Sequence, residues 1–387
     1  MGLASSTKWV SGAIFLKLAE QQWLSLDDSI GMYLPVFTEY GKGHFTLRQA
    51  YSMSSGIFNP GTSSPYHRDP SLTLAQSADT IAKNVEILFE PGSMIGYDGT
   101  AMHVWGRAAE VIDSIRGPNR DWRTIAREEF FDLMQMDSTD YTDFYPNNPA
   151  VAGGIETTPC DYLRFLKMLS NDGQYNGVQV LQPSSIDEMF TDQTQSAPIY
   201  HTFWPSNHPD FAPEIDTLRY TFGAWWTEKD ANGNITGLTS PGAYGHYPFI
   251  DRCKNIYGTF FTFIPVTEGG GKKVENTFLR FLKILREQTG ECTLTSNNKS
   301  PRTHSNQEFF YPNPASNILY LNTLQLPPLN LTLQIFDISG RQVYSLPIHA
   351  QQTGHLDLEG VSNGVYIATI SDPEGSFIRT DKLIIQK

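Results

Sequence analysis

A polar stretch near the C-terminal end divides this chain of 387 residues into two parts of different character. Residues 292–307 are mostly Ser, Thr, Asn and Lys, with almost no apolar side chains. A segment of this composition cannot bury enough apolar surface to form a core, so we interpret it as a linker. The sequence therefore predicts two domains, at 1–290 and 310–387, joined by a linker at 291–309.

The first part carries helical patterns in its middle and strand patterns towards its end. Apolar residues predict helices over 102–112 and 159–169. From Tyr220 onward, aromatic and β-branched runs separated by turns predict strands, and a last amphipathic helix covers 275–286. Helices followed by strands favour an α/β or α+β fold.

The last part consists of short alternating segments at regular spacing. NILYLN, LTLQIFDI and GVYIATI are three of them, and turn residues such as Ser339-Gly340 separate them. Several short strands with a turn between each pair are typical of a small all-β sandwich.

The composition excludes several classes of function. The net charge of −13 and the isoelectric point near 5.1 argue against nucleic acid or an anionic membrane as a partner. No apolar run approaches the ~20 residues that a membrane-spanning helix needs. No pattern indicates a metal or an organic cofactor. The cysteines Cys160, Cys253 and Cys292 allow one disulfide at most, and both a Cys253–Cys292 pair and three free thiols stay open.

A serine and a lysine lie close together at the start of the chain. Ser5 and Lys8 precede an apolar run over 9–20 that predicts an amphipathic helix, so both side chains would share one face at its N-terminus. A lysine in a partly desolvated pocket can accept the serine proton, which makes Ser5 a candidate nucleophile. The alternative is a capped helix with an exposed lysine, and the same spacing recurs at Ser296 and Lys299 in the predicted linker.

Further segments resemble, in order and spacing, the β-lactamase-related serine hydrolase family of class C β-lactamases, D-alanyl-D-alanine carboxypeptidases and esterases. Residues 1–290 carry this resemblance. The matching segments are ASSTKWVSGAIFLKLAEQQWLSLDDSIGMYLP, FTLRQAYSMSSGI, FEPGSMIGYDGT, AGGIETTPCDYLRFLKMLSNDG and SPGAYG. The resemblance implies a serine β-lactamase-like domain, related to penicillin-binding-protein transpeptidases, in which helices flank an antiparallel sheet.

The same resemblance implies roles for individual residues. Ser5 would be the acylated nucleophile, Lys8 its base or base partner, and Tyr97 a phenol that relays a proton to the leaving group. The backbone N–H groups of Ser5 and Ala243, the latter just after the Ser240–Gly242 turn, would stabilise the oxyanion. The implied reaction is acyl transfer in two steps through an acyl-enzyme. A tyrosine beside a Pro-Gly turn is also common in a protein core, which is the alternative for Tyr97.

Two positions expected to contact the substrate depart from the family pattern. Gly99 stands where the family usually has Asn, and Ser240 stands where β-lactamases and peptidases usually have Lys or His. Pro241 replaces a hydroxyl residue beside it. Without a cation at position 240, penicillin-like substrates lose one of their main contacts, which favours an ester or a non-β-lactam amide as substrate. His246 could lend partial charge, but a histidine at a strand edge is the simpler interpretation.

The position of Ser5 so near the start has a further implication. Members of the family carry a helix and the first strands of their sheet before the reactive serine. The resemblance therefore implies a domain that lacks these N-terminal strands, and a signal peptide lost with them.

The C-terminal part resembles a type IX secretion sorting domain. YPNPASNILYLN, IFDISGRQVYS, LEGVSNGVYIATI and KLIIQK, all within 310–387, carry this resemblance. It implies an immunoglobulin-like sandwich, export by the type IX secretion machinery, and a protein that is secreted or displayed on the cell surface.

Together these patterns favour a secreted serine hydrolase that cleaves an ester or an amide in a small-molecule or peptide substrate through Ser5. A β-lactamase or a D-alanyl-D-alanine carboxypeptidase is the alternative with the same chemistry. A catalytically inactive, exported binding module is the alternative from another class, because Gly99 and Ser240 both remove groups that the family uses.

Overall fold

The computed structural model describes residues 1–58, 65–142, 146–194, 197–202, 219–289, 310–311, 315–321, 330–337, 341–349, 354–371, 373 and 377–387. Two compact units are present, Met1–Leu294 and Thr295–Lys387. Cys160 is a free, exposed thiol. The predicted linker at 291–309 lies outside the described residues. Cys253 is disulfide-bonded, so the alternative of three free thiols is wrong, and the predicted partner Cys292 lies outside the described residues.

The described residues of the first unit form nine α-helices and ten strands. The helices are α1 Thr7–Glu20, α2 Pro35–Glu39, α3 Leu47–Tyr51, α4 Leu74–Asn84, α5 Thr100–Arg116, α6 Trp122–Ala126, α7 Pro159–Ser170, α8 Pro183–Met189 and α9 Lys272–Thr289. The strands are β1 Ile95–Gly96, β2 Asp140–Tyr141, β3 Ile155–Glu156, β4 Gln174–Tyr175, β5 Val178–Gln179, β6 Ile199–His201, β7 Trp225–Lys229, β8 Ile235–Thr239, β9 Tyr247–Asp251 and β10 Ile256–Phe260. The three helices predicted at 102–112, 159–169 and 275–286 are confirmed within α5, α7 and α9.

Strands β7 to β10 form one antiparallel sheet in the order β10-β9-β8-β7. Phe260 contacts Phe278 of α9, with ring centroids 5.7 Å apart. The next residue, Phe261, lies 4.9 Å from His246, which in turn packs on Tyr162 of α7 at 4.5 Å. Because successive side chains of a strand point to opposite faces, α9 covers one face of the sheet and α7 the other. The predicted antiparallel sheet flanked by helices is confirmed.

Helix α1 runs through the core of the first unit. Residues 7–16 are all buried, which confirms the interpretation of the apolar stretch 10–18 as a core helix; burial on one face only, which an amphipathic helix over 9–20 would show, is not observed. Trp9 packs on Phe165 of α7, and Phe15 stacks on Trp122 of α6, with centroids 5.6 and 5.1 Å apart. A helix that is enclosed on every side belongs to the centre of a domain. The serine and the lysine at its start are therefore held by the best-packed part of the fold.

The second unit consists of strands alone in its described residues. They are β11 Phe310–Tyr311, β12 Ile318–Leu321, β13 Asn330–Asp337, β14 Gln342–His349, β15 Gly354–Asp357, β16 Gly364–Ser371 and β17 Phe377–Ile385. They form two antiparallel sheets, β11-β12-β15 and β14-β13-β16-β17. Leu319 and Leu356 of the first sheet share one apolar core with Leu333, Ile335 and Ile370 of the second. The all-β prediction is confirmed, and the immunoglobulin-like arrangement stays a prediction.

Candidate active site

Ser5 lies in a single 3₁₀ turn, Ala4–Ser6, directly before α1. Ala4 has a φ of +48°, a left-handed conformation that residues with a Cβ rarely adopt. This turn presents Ser5 at the wall of a cavity of about 600 Å³. Strained backbone of this kind is concentrated at functional sites, where the surrounding fold holds it in place.

The Lys8 amine lies one helical turn beyond the serine. Its Nζ donates hydrogen bonds to Ser5 Oγ and to the Ala152 carbonyl oxygen, both at 3.0 Å. Burial, and after it the charge of Arg68, lower the pKa of Lys8 to about 7, and the charge of Asp98 acts in the opposite direction. With only 5% of the lysine exposed, the alternative of a solvated side chain is wrong. Much of this amine is neutral at physiological pH and can accept the Ser5 proton.

Tyr97 follows strand β1, and its side chain is hydrogen-bonded to Ser5. The ring stacks on Trp225 with centroids 5.5 Å apart, and Lys8 Nζ lies 5.2 Å from the ring centroid. Burial raises the pKa of the Tyr97 phenol to about 12. The phenol therefore stays protonated at neutral pH and is a proton donor beside the serine. The structure thus brings Ser5, Lys8 and Tyr97 together.

The turn after β8 lies against the same cavity. Ala243 is exposed there, and its N–H has no hydrogen-bond acceptor in the described part of the chain. Two backbone bonds of 2.7 Å fix the turn, from Gly242 N–H to the His246 carbonyl and from Gly271 N–H to the Ala243 carbonyl. An N–H group of this kind, at the wall of the cavity that Ser5 also lines, can serve as an oxyanion donor.

Gly242 and Gly99 are glycines for reasons of space. A Cβ on Gly242 would overlap the Leu3 carbonyl oxygen, and a Cβ on Gly99 would lie 2.8 Å from the Ala152 Cβ. The Asn that the family usually has at this position therefore does not fit unless Ala152 moves. Since the Ala152 carbonyl accepts a hydrogen bond from Lys8, a backbone oxygen contacts the amine where a side-chain amide was expected.

Substituting Gly99 with Asn tests this close packing. Because the added Cβ forces Ala152 to move, we expect Gly99→Asn to lower the free energy of unfolding by about 1–3 kcal/mol. Thermal unfolding followed by calorimetry measures the change. Gly41→Asn is the control, because its φ of +71° suits Asn and no atom lies within 4 Å of its added Cβ. An unchanged unfolding temperature for Gly99→Asn would contradict the steric argument.

Neither Ser240 nor His246 lies where a residue that binds the substrate would be expected. Ser240 is buried, and its hydroxyl donates to the carbonyl oxygens of Ser5 and Gly223, both at 3.3 Å. This hydroxyl therefore binds backbone carbonyl groups, and Ser240 is not among the described residues that line the cavity. Burial lowers the pKa of His246 to about 3, and its Nε2 is hydrogen-bonded to the Thr259 hydroxyl at 2.8 Å. A neutral, buried His246 does not supply the charge considered for this position.

Sequence reasoning missed two cations in the cavity wall, Arg68 and Lys272. The Pro- and Ser-rich composition of 59–70 predicts a loop that can border a pocket, but no pattern indicates which of its residues reaches it. Among the described residues of this stretch, His67 and Arg68 line the cavity. Lys272 begins α9, before the predicted start at 275.

The sequence profile of the beta-lactamase family matches residues 1–274. The chain belongs to the beta-lactamase family. The resemblance inferred from the motifs is thereby confirmed.

Several known proteins are similar to this beta-lactamase-family chain. One from Bacteroides dorei, provisionally named a beta-lactamase, is 28% identical with a TM-score of 0.58, over 68% of this chain and 78% of that chain. A family VIII carboxylesterase is 14% identical with a TM-score of 0.55, over 73% of this chain and 83% of that chain, and shows the fold alone. An uncharacterized Mycobacterium tuberculosis protein is 45% identical over 51 residues, and this match spans 13% of each chain.

Residues 309–386 match the secretion system C-terminal sorting domain. The predicted type IX sorting domain is confirmed, and it indicates a secreted or cell-surface protein that the secretion machinery recognises. Among the described helices, none combines the length and the apolar character needed to cross a membrane.

Proposed function

We propose that this protein is a secreted serine hydrolase that cleaves an ester or an amide through an acyl-enzyme at Ser5. The observation that carries the proposal is the hydrogen bond of 3.0 Å between Lys8 Nζ and Ser5 Oγ. A buried amine with a pKa of about 7 is matched to proton transfer at physiological pH. A lysine held beside a serine in this way has no evident structural purpose, because burying an amine destabilises the fold.

Acylation begins when neutral Lys8 takes the proton of the Ser5 hydroxyl and Oγ attacks the carbonyl carbon of the substrate. The N–H groups of Ser5 and Ala243 stabilise the oxyanion that forms. As the bond to the leaving group breaks, the Tyr97 phenol gives its proton to the leaving oxygen or nitrogen. The proton held on Lys8 then replaces the one that Tyr97 has lost, and the acyl group stays on Ser5.

Deacylation follows the same route in reverse. A water molecule takes the place of the leaving group and loses a proton to the Lys8–Tyr97 pair as its oxygen attacks the acyl carbon. The tetrahedral intermediate collapses, and Ser5 Oγ leaves and is protonated again. The products are the free acid and the regenerated enzyme.

The proposal favours esters or simple amides over penicillin-like substrates. Residue 240 is a serine whose hydroxyl donates to backbone carbonyl oxygens. This position therefore provides no cation to bind a β-lactam carboxylate. A β-lactamase or a D-alanyl-D-alanine carboxypeptidase remains the alternative within the same chemistry. Hydrolysis of p-nitrophenyl butyrate, compared with hydrolysis of nitrocefin, tests the proposal. Turnover of nitrocefin alone would favour the alternative, and turnover of neither would favour an inactive binding module.

The pH dependence of hydrolysis should follow the ionisation of Lys8. Only the neutral amine can accept the Ser5 proton, so we expect kcat/KM to rise with pH through a midpoint near the Lys8 pKa of about 7. Tyr97, with a pKa of about 12, stays protonated across the plateau. Initial rates on p-nitrophenyl butyrate, corrected for spontaneous hydrolysis, measure the profile. A midpoint close to the usual lysine pKa of about 10.4 would contradict a base of this kind.

A further inference from the structure

The cavity contains a cation that the proposed mechanism does not use. Arg68 lines the cavity, and no carboxylate or other hydrogen-bond acceptor binds its guanidinium in the described part of the chain. Several other guanidinium groups of the first unit are engaged by carboxylates. Examples are Arg48 with Asp27, Arg120 with Asp113, Arg252 with Asp172 and Arg286 with Glu228. An unpaired guanidinium at a cavity wall is therefore available to a ligand.

Arg68 lies on the Lys8 side of the cavity. A Cβ built on Gly153 would be 3.7 Å from Arg68 Nη2, and Gly153 directly follows Ala152. The Ala152 carbonyl is the second acceptor of Lys8 Nζ, at 3.0 Å. The effect of the Arg68 charge on the pKa of Lys8 agrees with this proximity. A group that binds to the guanidinium would thus lie close to the reacting serine.

The carboxylates that line the described cavity are Asp98 and Glu275, and both face other groups. An Asp98 oxygen accepts the Thr100 N–H at 2.5 Å, and its charge supports protonated Lys8. Glu275 is 4% exposed, on the first turn of α9. Lys272 adds a second positive charge to the wall. Because the whole chain carries a charge of −13, a local cation is needed if an anion is to enter this cavity.

We propose that Arg68 binds a carboxylate of the substrate, so that the enzyme prefers esters or amides with a negative charge near the scissile bond. This inference rests on the proposed function, and it names the substrate class. A guanidinium binds a carboxylate through two parallel hydrogen bonds and keeps its charge at every pH at which the enzyme works. Arg68 belongs to a different element from position 240, the 3₁₀ turn Pro65–Arg68.

Two pairs of esters test the preference and locate the carboxylate. Mono-p-nitrophenyl glutarate against p-nitrophenyl valerate compares acyl groups of equal chain length, with and without a carboxylate. The p-butyryloxybenzoate ion against phenyl butyrate makes the same comparison in the leaving group. The readout is the ratio of kcat/KM, charged over neutral, with the rate of Ser5→Ala subtracted. Assays at about pH 9 keep Lys8 neutral in every variant.

We expect the wild-type enzyme to prefer the charged ester in one of the two pairs. Arg68→Gln should reduce that ratio roughly tenfold or more, because a charge-assisted hydrogen bond is lost. Arg68→Lys should restore part of the ratio, since it keeps the charge but not the paired donors. Lys272→Gln is the matched control for loss of one positive charge in the same cavity wall. Equal ratios in wild type and Arg68→Gln, or a greater loss in Lys272→Gln, would overturn the assignment to Arg68.

A binding measurement separates this inference from the proposed function. Isothermal titration of glutarate and of p-hydroxybenzoate into Ser5→Ala reports carboxylate binding without any turnover. We expect one of the two to bind, and the binding to be lost in Ser5→Ala/Arg68→Gln. Carboxylate binding without hydrolysis by the wild type would contradict the proposed function and support the anion site. Hydrolysis of neutral esters without carboxylate binding would support the hydrolase and contradict the anion site.

Discussion

Ser5→Ala is expected to lower kcat/KM for p-nitrophenyl butyrate roughly 10,000-fold or more, because the residual rate then comes from binding and the oxyanion site alone. Lys8 Nζ lies 3.0 Å from the Ser5 hydroxyl, and the Tyr97 side chain is also hydrogen-bonded to Ser5. No other hydroxyl in the described residues has both of these neighbours. Steady-state rates, measured against a blank without enzyme, give the size of the loss.

The adjacent serine provides the control for this substitution. Ser6 is buried, and its hydroxyl donates to the Ser240 carbonyl at 2.6 Å and to the His246 carbonyl at 3.4 Å. Ser6→Ala removes a structural hydrogen bond worth about 1 kcal/mol but leaves the reacting groups in place. Retention of most activity by Ser6→Ala, with loss in Ser5→Ala, assigns the nucleophile. Equal activity in both variants would contradict the assignment.

Lys8→Met is the second substitution with a large expected effect. It removes the base but keeps a long apolar side chain, and general-base catalysis contributes roughly 100- to 10,000-fold. We therefore expect kcat/KM to fall by that factor, and the rise in rate near pH 7 to disappear from the pH profile. Lys8→Arg should be equally inactive, because a guanidinium does not give up its proton. Substantial activity in Lys8→Arg would show that the residue is not a base.

The stability of Lys8→Met separates loss of catalysis from loss of fold. The native pKa of Lys8, about 7, lies below its value in the unfolded chain, so below that unfolded value the unfolded state binds more protons. The lysine therefore destabilises the native state at neutral pH, and this cost shrinks as the pH rises towards the unfolded pKa. Lys8→Met should unfold at the same temperature as the wild type or at a higher one. A lower unfolding temperature would mean that the variant loses activity through misfolding.

The fold was predictable where short-range patterns decide it. The helical patterns over 159–169 and 275–286 and the aromatic and β-branched runs after Tyr220 predict α7, α9 and the strands of the sheet β7 to β10. Helix α1 shows the limit of this reasoning. The run 9–20 predicts an amphipathic helix, yet the helix is buried on all sides over 7–16, Lys8 included. A buried lysine breaks the correspondence between polarity and exposure on which the prediction depends.

The candidate site was predictable as a set of motifs but not as a set of contacts. The spacing of Ser5 and Lys8 indicated a hydrogen bond, and the structure contains it at 3.0 Å. Lys8 Nζ binds the Ala152 carbonyl oxygen, where the family has a side-chain amide. This contact depends on the backbone packing around Gly99, which no sequence pattern encodes. Arg68 follows a Pro- and Ser-rich stretch without periodicity, so only the folded chain reveals that it reaches the cavity.

The most direct test of the account is the intact mass of the protein after exposure to a fluorophosphonate, which phosphonylates activated serines irrespective of the natural substrate. The wild type and Ser6→Ala should each gain the mass of a single adduct, and Ser5→Ala should gain none. Peptide mapping should place the adduct on Ser5. An adduct that persists in Ser5→Ala, or a wild-type protein that does not react, would contradict an activated Ser5 and leave an exported binding module as the better account.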